Sequence, residues 1–441
     1  MNEKEIQEHI LNNGYECYEI GGCVRNRLWN LPVTDIDLVT NATPEELGDI
    51  FEGMASTCSC GNTFLVTIID GIEVSTYRKD KADHAEVART LKEDVIRRDF
   101  TINALAEDKH GYIIDLVDGI QDAKNKILRA IGKPIERFIE DPVRILRGLR
   151  FASIYNLEIS ENTKRDMQLA ITLLDEVPME RFKLEMKKAF SSTQAYKFVN
   201  YLLELGIFYN YFPSLKKLIK DGGKYHGETV IEHALLTIKS LDDIGCTDWK
   251  LKISGLYHDI GKIYHDFDED GNVHFKAHNL NGNTELVEDL SHLKLSQDEI
   301  DYVQCLKNCH MWSVKLDDDS INKKSVRKLK AELIQHEVDV KDWFILRYAD
   351  KKSNLRRKPD ECNWIIYRKR YREILDALKN HHVFSIKDLE INGLEIMKIC
   401  NIKQGGPIVG KYLKTLYNAV MEEQVYNKKE YLIEYLINIK E

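Results

Sequence analysis

The sequence predicts an α/β head of about 130 residues followed by an all-helical remainder. Three observations support this division. An apolar strand segment runs into Gly21-Gly22, a pair that lets a strand turn sharply into a helix. Strand-like segments continue through the Asp70-Gly71 hairpin signal towards residue 132. From Pro134 onward, apolar residues recur at helical spacing.

The elements of the head follow from local signals. Thr43-Pro44 is a helix start, because threonine caps a helix and proline suits its first position. Charged residues 79–96 lack an early apolar period and predict a mobile loop that runs into a helix. The predicted elements are a helix at 4–13, a strand at 16–21, a helix at 24–30, a strand at Asp35–Val39, a helix from Thr43 to Phe51, and strands at Thr63–Asp70, Ile72–Tyr77 and Tyr112–Leu116.

Composition excludes several classes of protein. The chain has 441 residues, of which 43% are hydrophobic and 31% charged, as in ordinary soluble domains. It contains no apolar stretch long enough to span a membrane, and it begins with a charged amphipathic helix instead of a signal peptide. Nine cysteines without a CxxC pair indicate reduced thiols in the cytosol. A net charge of −9 argues against non-specific coating of nucleic acid but permits a locally basic face.

Two aspartates follow the glycine pair. Side chains at i and i+2 of a strand share a face, so Asp35 and Asp37 are expected to project together. Two close carboxylates repel unless a cation lies between them, and oxygen ligands suit Mg²⁺. Gly22 lets the backbone approach a phosphate and Arg25 can bind one, so the stretch favours a nucleotide–metal site. Glu73 is a possible third carboxylate.

Downstream residues add candidate nucleotide contacts. Arg98 and Asn103, in the segment RRDFTINALAED, are two of them. Asp141 and Arg144 lie at helical spacing in EDPVRILRGLRF, and their acceptors and planar donor fork complement the edge of a base. Arg147 and Arg150 on the same segment suit a triphosphate. An Asp–Arg salt-bridge ladder on an exposed helix is the alternative.

A second group of candidate ligands begins near residue 227. His233 precedes the string HDIGK, which contains His258 and Asp259, and Asp350 follows about 90 residues later. These four residues are expected to bind one divalent metal. His278 and His310 are candidates to assist a second metal or to hold a phosphate. The alternative is a domain without activity that packs against the rest and helps to hold RNA.

A basic window near the C-terminal end is a candidate RNA-binding face, and a solvated helix face is the alternative. It contains Trp364, Tyr367 and Tyr371 beside Lys351, Lys352, Arg356, Arg357, Lys358, Arg368, Lys369, Arg370 and Arg372.

Four motifs in order resemble the class II nucleotidyltransferases, and in particular the tRNA nucleotidyltransferases of the CCA-adding type. They are GGCVR…DID, RRDFTINA, EDPVRILRGLRF and ERFKLE. The resemblance implies a DNA polymerase β-like head in which Asp35 and Asp37 hold Mg²⁺. It implies that Gly22, Arg25 and Arg98 meet the incoming nucleotide and that Asp141 and Arg144 read CTP or ATP. The implied reaction adds CCA to the 3′ end of tRNA in the cytoplasm.

The order H…HD…D resembles the HD metal-dependent phosphohydrolase superfamily. Together the resemblances imply a nucleotidyltransferase head at 1–132, a helical neck and body at 133–215, an HD domain with a possible second divalent metal at 216–360, and a helical tRNA-binding tail at 361–441.

Two departures from the family pattern keep alternatives open. Asn26 stands where the family usually has an acid, which puts the orientation of Arg25 in doubt. The loop at 79–96 is short, a feature that accompanies enzymes adding only CC. CC addition and poly(A) synthesis are therefore alternatives. A phosphohydrolase whose head senses nucleotides is an alternative of another class.

Overall fold

The computed structural model describes residues 1–59, 65–80, 85–218, 227–314, 316–317, 320–357, 363–379 and 382–439. The chain forms two compact units. The first contains Met1–Ala189 and Lys197–Ile207, and the second contains Phe190–Tyr196 and Phe208–Glu441. The predicted division into four domains stays a prediction.

A mixed seven-stranded sheet organises the first unit. Its order is β3-β4-β5-β2-β1-β8-β9, and among the described pairs of this sheet only β2–β5 is parallel. An α/β head was predicted, and this is confirmed, with a mixed sheet. The sheet strands are β1 Cys17–Ile20, β2 Leu38–Thr40, β3 Ala55–Ser59, β4 Leu65–Ile69, β5 Ile72–Thr76, β8 Ala106–Glu107 and β9 Ile113–Ile114. Two short pairs complete the set: β6 Arg78–Asp80 with β7 Ala85–Val87, and β10 Ile127–Leu128 with β11 Glu158–Ile159.

The helices of this unit cover the sheet and extend from it. They are α1 Glu3–Asn12, α2 Gly22–Leu28, α3 Pro44–Ile50, α4 Leu91–Ile96, α5 Gly119–Asn125, α6 Pro134–Glu140, α7 Val143–Ile154 and α8 Glu161–Leu169. Two more, α9 Met179–Phe190 and α10 Ala195–Glu204, include residues of both units.

Local chemistry explains several boundaries. Thr43 caps α3 through the backbone N–H of Glu46 and receives the reciprocal carboxylate contact, so the predicted capping is confirmed. Asp70 and Gly71 both have positive φ, at 51° and 87°, as a two-residue hairpin turn requires. The start of the strand predicted from Thr63 lies outside the described residues.

Adjacent residues of β2 face two different cores. Leu38 packs with Ile6, Ile10 and Phe51 beneath one face of the sheet. The next residue, Val39, joins a separate cluster on the other face. This alternation fixes the register of β2 against its neighbours.

One strand prediction is wrong in its extent. The strand predicted at Asp35–Val39 forms only from Leu38, and Asp35 and Asp37 lie in the loop before it. The reason is the neighbouring strand. The N–H of Ile20 donates to the Asp37 carbonyl at 3.0 Å and the chain then turns at Gly21, so β1 offers no residue to pair with those before Asp37. The segment 79–96 is also more ordered than predicted where it is described, because β6 and β7 pair within it.

The second unit is mainly helical, in agreement with the prediction for residues after 133. Its longer helices are α11 Phe208–Tyr211, α12 Val230–Asp243, α13 Trp249–Tyr257, α14 Asn283–His292, α15 Gln297–Cys309, α16 Lys323–Gln335, α17 Val340–Ser353, α18 Trp364–Leu378, α19 Gly393–Ile399, α20 Pro407–Met421 and α21 Lys429–Ile439. Two small hairpins pair β12 Asp266–Phe267 with β13 Val273–His274 and β14 Leu316–Asp317 with β15 Ser320–Ile321. Among the described residues, no helix has the length and apolar character needed to cross a membrane.

Candidate functional site

The glycine turn connects β1 to α2. Gly21 adopts φ 85°, a conformation that favours glycine, and its N–H donates to the carbonyl of Leu105 at 3.0 Å. A Cβ added to Gly21 would lie 3.5 Å from the Asn103 carbonyl oxygen and 3.7 Å from Nη1 of Arg98. The turn therefore brings Gly22, at the start of α2, beside two residues that were predicted to contact a nucleotide.

A cavity of about 800 Å³ opens at this turn. Its walls come entirely from the first unit, and most predicted site residues line it. The predicted residues in its lining are Gly22, Arg25, Asp37, Glu73, Arg98, Asn103, Asp141, Arg144, Arg147 and Arg150. Asp35 is exposed and is not among the lining residues.

The carboxylates at the mouth of the site differ in their surroundings. Burial raises the pKa of Asp37, and the neighbouring Glu73 and Asp35 raise this pKa further, while Arg98 opposes the shift. The side chains of Asp35, Asp37 and Glu73 do not form a group of three ligand atoms within 4.8 Å of one another in the described structure. The prediction that strand alternation aligns Asp35 with Asp37 is wrong, since neither residue is in a strand.

Arg25 is held firmly inside the cavity wall. Its guanidinium donates to Oδ1 of Asn26 at 2.9 Å and 3.2 Å, to the hydroxyl of Tyr155 at 2.8 Å, and to the side chain of Asn103. The ring of Tyr155 lies 4.4 Å from the guanidinium carbon. Asn26 thus contacts Arg25 through an amide oxygen, and a weaker orientation than an acid would give stays a prediction. Tyr155 was not predicted, because a contact across 130 residues has no local sequence signal.

Asp94 anchors both adjacent arginines. Arg97 and Arg98 donate to opposite carboxylate oxygens of Asp94 at 2.7 Å and 2.9 Å. Asp94 is fully buried, and burial alone would raise its pKa, but Arg98 and Arg97 together lower the pKa below its ordinary value. Both side chains turn to one carboxylate. Arg98 thereby reaches the glycine turn.

The predicted base-reading residues lie on either side of a helix break. Asp141 ends α6 in an extended conformation, with φ −150° and ψ 97°, and α7 begins at Val143. A residue before proline avoids the helical region, so Pro142 forces this break. The prediction that Asp141 shares the helix of Arg144 is therefore wrong.

Both side chains that were predicted to read the base have partners within the chain. Arg181 donates to both carboxylate oxygens of Asp141 at 2.9 Å. Arg144 donates to Oε2 of Glu140 at 2.9 Å and to the backbone carbonyl of Arg97 at 3.2 Å. Asp141 also accepts from the N–H of Val143 at 3.2 Å and so caps α7. Arg181 was not among the predicted nucleotide contacts.

The other two arginines of α7 are paired with acids. Arg147 contacts Asp99 at 2.9 Å, and Arg150 donates to the buried carboxylate of Glu185. Asp99 was not predicted, although it lies next to Arg98 in the RRDF segment. Triphosphate binding by Arg147 and Arg150 stays a prediction.

The second unit brings the predicted metal ligands together. Nε2 of His233 lies 3.2 Å from Asp350 and 4.0 Å from Asp259, and Nε2 of His258 lies 3.3 Å from Asp259. His258 and Asp259 follow the C-terminal end of α13 instead of lying within the helix. His278 and His310 approach the same Asp259 carboxylate.

The charges of this cluster are strongly coupled. Burial would lower the pKa of His233, but Asp350 and Glu228 raise it to about 9. Burial would raise the pKa of Asp350, yet His233 and His258 hold this pKa far below its ordinary value. Glu228 was not predicted. Its carboxylate accepts from Nδ1 of His233 at 2.9 Å, a contact five residues away along the chain.

Comparison with known proteins agrees with this geometry. Residues 17–129 match the poly A polymerase head domain, 156–219 match a probable RNA and SrmB-binding site of polymerase A, and 277–436 match a putative second domain of tRNA nucleotidyltransferases. The chain is 42% identical over 191 residues to the CCA-adding enzyme of Enterococcus faecalis, which covers 42% of this chain and 47% of that protein. It is 36% identical over 234 residues to the CCA-adding enzyme of Lactococcus lactis, covering 49% and 58%.

The chain is thus similar to CCA-adding enzymes over 42% and 49% of its length in these two comparisons. It spans about half the length of the curated relatives that it matches. The chain also shares a fold with solved structures. The Bacillus stearothermophilus CCA-adding enzyme in complex with CTP matches with a TM-score of 0.70 and 22% identity, covering 100% of this chain and 98% of that chain. The Thermotoga maritima CCA-adding enzyme complexed with tRNA matches with a TM-score of 0.57 and 16% identity, covering 99% and 94%.

Proposed function

We propose that the protein adds CCA to the 3′ end of tRNA from CTP and ATP and releases pyrophosphate. The cavity of the first unit carries the proposal, because the glycine turn, Asp37, Asp141 and Arg144 all line one space. Two features of a template-independent polymerase thus lie together: a place for phosphates and a side-chain pair suited to a base edge. The names of the relatives described above support this function, and a cytoplasmic location is part of the proposal.

Each addition exchanges one bond for another. The 3′ oxygen of the RNA bonds to the α-phosphorus of the nucleotide, the bond from that phosphorus to pyrophosphate breaks, and the hydroxyl proton is lost. Asp35 and Asp37 are the residues that would hold Mg²⁺, with Glu73 beside them. When bound, Mg²⁺ activates the hydroxyl and neutralises charge that develops on the phosphate oxygens. Burial, Glu73 and Asp35 raise the pKa of Asp37 although Arg98 opposes them, and a bound cation would favour the ionised carboxylate.

The chain's own residues would position the nucleotide. Asp141 offers acceptors and Arg144 offers donors to the base, so the protein itself acts as the template. Arg98, fixed by Asp94, lies beside the glycine turn where phosphates would approach. Arg147 and Arg150 are proposed to face the triphosphate.

The tRNA is proposed to be held by shape and backbone along a basic surface that includes the described arginines of α18. Lys358, also predicted in that surface, lies outside the described residues.

Primer extension tests the proposal. Purified protein is given a tRNA that lacks CCA, with CTP and ATP separately and together, and the products are resolved to one nucleotide. We expect extension by three nucleotides with both substrates, abolished in Asp35→Ala and Asp37→Ala. Asp49→Ala removes an exposed carboxylate on α3 and serves as the matched control. Extension that stops after two C residues would replace the proposal with CC addition, and long A tails from ATP alone would replace it with poly(A) synthesis.

A second candidate function belongs to the second unit. We propose that it is an HD-type phosphohydrolase in which His233, His258, Asp259 and Asp350 hold a divalent metal. The observation that favours it is the convergence of these side chains with Nε2 of His258 buried and without a hydrogen-bond partner in the described structure. When bound, the metal activates water for attack on a phosphomonoester or a cyclic phosphate.

Hydrolysis of 2′,3′-cyclic AMP and p-nitrophenyl phosphate in the presence of Mn²⁺ tests this second function. We expect turnover that is lost in His258→Ala and kept in His292→Ala, which changes an exposed histidine of α14. Turnover without any primer extension would favour a phosphohydrolase whose head senses nucleotides. Absence of turnover with every divalent ion would contradict the second function and leave CCA addition untouched.

A further inference from the structure

Arg25 is a buried cation in the lining of the first unit's cavity. The residue is 5% exposed, and a guanidinium stays charged at neutral pH. A Cβ added to Gly22 would lie 3.5 Å from Nη2 of Arg25, so the guanidinium lies against the glycine turn. Buried charges in proteins are normally paired with an opposite charge. A cation at this position therefore calls for an acid or for an anionic ligand.

Five other arginines of the lining differ from Arg25 because each forms an ion pair with a carboxylate. The pairs are Arg97 and Arg98 with Asp94, Arg144 with Glu140, Arg147 with Asp99, and Arg150 with Glu185. Arg25 forms no ion pair with any carboxylate of the residues that the structure describes. Its charge is therefore not balanced by an acid in direct contact.

Neutral oxygens hold the Arg25 guanidinium instead. Nε and Nη2 donate to Oδ1 of Asn26 at 3.2 Å and 2.9 Å. Nη2 also donates to the hydroxyl of Tyr155 at 2.8 Å, and Nη1 donates to the side chain of Asn103. These four bonds leave one guanidinium N–H, on Nη1, without an acceptor in the described part of the chain.

Three aromatic rings support the same guanidinium. Its carbon lies 4.4 Å from the centre of the Tyr155 ring, 5.4 Å from that of Phe151 and 5.7 Å from that of Trp29. The Tyr155 ring also packs against Trp29, with 5.0 Å between their centroids. Aromatic faces attract a cation without neutralising its charge. Tyr155 thus contributes both a ring face and a hydroxyl to the position of Arg25.

Asp99 is the nearby acid that competes for Arg25. Burial lowers the pKa of Arg25, and Tyr155 and Asp99 oppose this shift. Asn103 separates the two charges, because its amide oxygen accepts from Arg25 and its Nδ2 donates to Oδ1 of Asp99 at 3.3 Å. Oδ2 of Asp99 lies 2.9 Å from Arg147 but without the geometry of a hydrogen bond. This oxygen is therefore open to a second guanidinium.

We propose that Tyr155 is a positioning residue for the incoming nucleotide. It fixes Arg25 among neutral acceptors, so that the remaining N–H and the unpaired charge are available to a phosphate group beside Gly22. Because Asn26 is an amide, its bonds to Arg25 lack the charge that a carboxylate would supply, and Tyr155 provides the additional restraint. This inference deepens the proposed CCA addition and rests on it for the class of ligand, a nucleoside triphosphate.

The effect of losing the Tyr155 hydroxyl follows from these contacts. Arg25 would turn towards Asp99, where its charge would be paired and the contact between Asp99 and Arg147 would be disturbed. Binding of phosphate groups would then weaken. Arg144 lies in the first turn of α7 and Tyr155 caps its C-terminal end, so the contacts of Arg144 with the base would be kept.

Equilibrium binding to the full-length chain tests the proposal. Dissociation constants for CTP, ATP and inorganic tripolyphosphate are measured by isothermal titration calorimetry without RNA. We expect Tyr155→Phe, which keeps the ring, to weaken all three by about 10-fold, the effect of one lost hydrogen bond to a charged group. The ratio of CTP affinity to ATP affinity should not change. Tyr112→Phe, at a residue that is 73% exposed, is the matched control and should bind all three normally.

Asn26→Asp provides a test by rescue. A carboxylate at this position would hold the guanidinium through charge-assisted bonds, so the Tyr155 hydroxyl would become dispensable. In the Asn26→Asp background we expect Tyr155→Phe to weaken CTP binding by less than about twofold, because the two restraints are coupled. Equal losses in both backgrounds would overturn the proposal. A changed ratio of CTP to ATP affinity, or a matching loss of thermal stability, would assign Tyr155 a structural role and overturn it too.

Primer extension separates this inference from the proposed function. Nucleotide binding with the expected dependence on Tyr155, but without extension of tRNA, would support the positioning role and contradict CCA addition. Extension by three nucleotides with a KM for CTP unchanged by Tyr155→Phe would support CCA addition and overturn the positioning role. A raised KM with kcat preserved is the result that we expect, and absence of CTP binding would contradict both proposals.

Discussion

The carboxylate of Asp141 is oriented by one side chain, that of Arg181. We expect Arg181→Ala to blur the choice between CTP and ATP, because Asp141 would lose its bidentate donor. The pair is about half exposed on the arginine side, so its loss should change the free energy of unfolding by only about 0–1 kcal/mol. Steady-state kinetics with each nucleotide checks the first effect and urea unfolding checks the second. A fully selective Arg181→Ala enzyme would contradict this role, and Glu180→Ala is the exposed control.

Arg144 acts on the base more directly in our proposal. Glu140 and the Arg97 carbonyl hold its guanidinium, so the donor fork is already fixed before a nucleotide arrives. We expect Arg144→Ala to lower discrimination between C and A by about 1–3 kcal/mol, the value of one bidentate base contact. Triphosphate binding should weaken less. Misincorporation at each position of the tRNA end measures the effect, with Lys133→Ala as an exposed control; unchanged nucleotide preference would refute the template assignment.

The contribution of Asp94 to the free energy of unfolding should depend on pH. Its pKa is lower in the folded protein than in the unfolded chain because Arg98 and Arg97 outweigh the effect of burial. The unfolded state therefore binds more protons, and this stabilisation is present above the ordinary pKa of 3.8 and lost as pH falls through the folded pKa. We expect Asp94→Asn to reduce the free energy of unfolding by about 3–5 kcal/mol at neutral pH. Urea unfolding at decreasing pH should show this difference shrinking; a constant difference would contradict the ion-pair explanation.

Helix α7 carries Arg144, Arg147 and Arg150, and its position depends on Gly148. A Cβ at this residue would lie 2.5 Å from Cε of Met167 and 2.8 Å from Cζ of Phe100. Phe100 is fully buried and cannot yield easily. We expect Gly148→Ala to cost about 1–3 kcal/mol of unfolding free energy and to raise KM for nucleotides, because α7 must shift. Thermal unfolding and primer extension measure the two effects.

Gly48, inside α3, is the matched control for Gly148. An added Cβ there meets no atom within 4 Å. Gly48→Ala should therefore be neutral or stabilising by up to about 1 kcal/mol, through helix propensity. Equal destabilisation by both substitutions would show that close packing at Gly148 is not the cause.

The elements that the sequence predicted correctly are ones with local signals. The Thr43 cap, the Asp70-Gly71 hairpin and the glycine turn depend on neighbouring residues, and all three are present. The break at Asp141 also had a local signal in Pro142, which the helical spacing of the arginines concealed. The length of β2 had no local signal in the sequence, because it depends on where β1 ends.

The contacts of the site residues could likewise not be predicted where they join distant parts of the chain. Types and spacing identified Arg25, Arg98, Asp141 and the histidines of the second unit as candidates. Sequence alone did not show that Tyr155 holds Arg25, since that contact joins residues 130 positions apart. Long-range contacts depend on how the elements pack, and no residue pattern near either partner indicates them.

Across the whole molecule, the two candidate sites are built from separate parts of the chain. All lining residues of the cavity belong to the first unit, and all six candidate metal ligands belong to the second. A substitution in one cluster removes no side chain from the other. We therefore expect His258→Ala to leave primer extension unchanged and Asp37→Ala to leave Mn²⁺ binding by the second unit unchanged.

Parallel assays on the same preparations check this independence. Primer extension, Mn²⁺ stoichiometry and thermal unfolding are measured for both variants and for the unsubstituted protein. If His258→Ala keeps its unfolding temperature but slows CCA addition, the two sites must be energetically coupled. Reciprocity applies to binding: if Mn²⁺ bound to the second unit changes the affinity for nucleotide, nucleotide must change the affinity for that Mn²⁺ by the same factor.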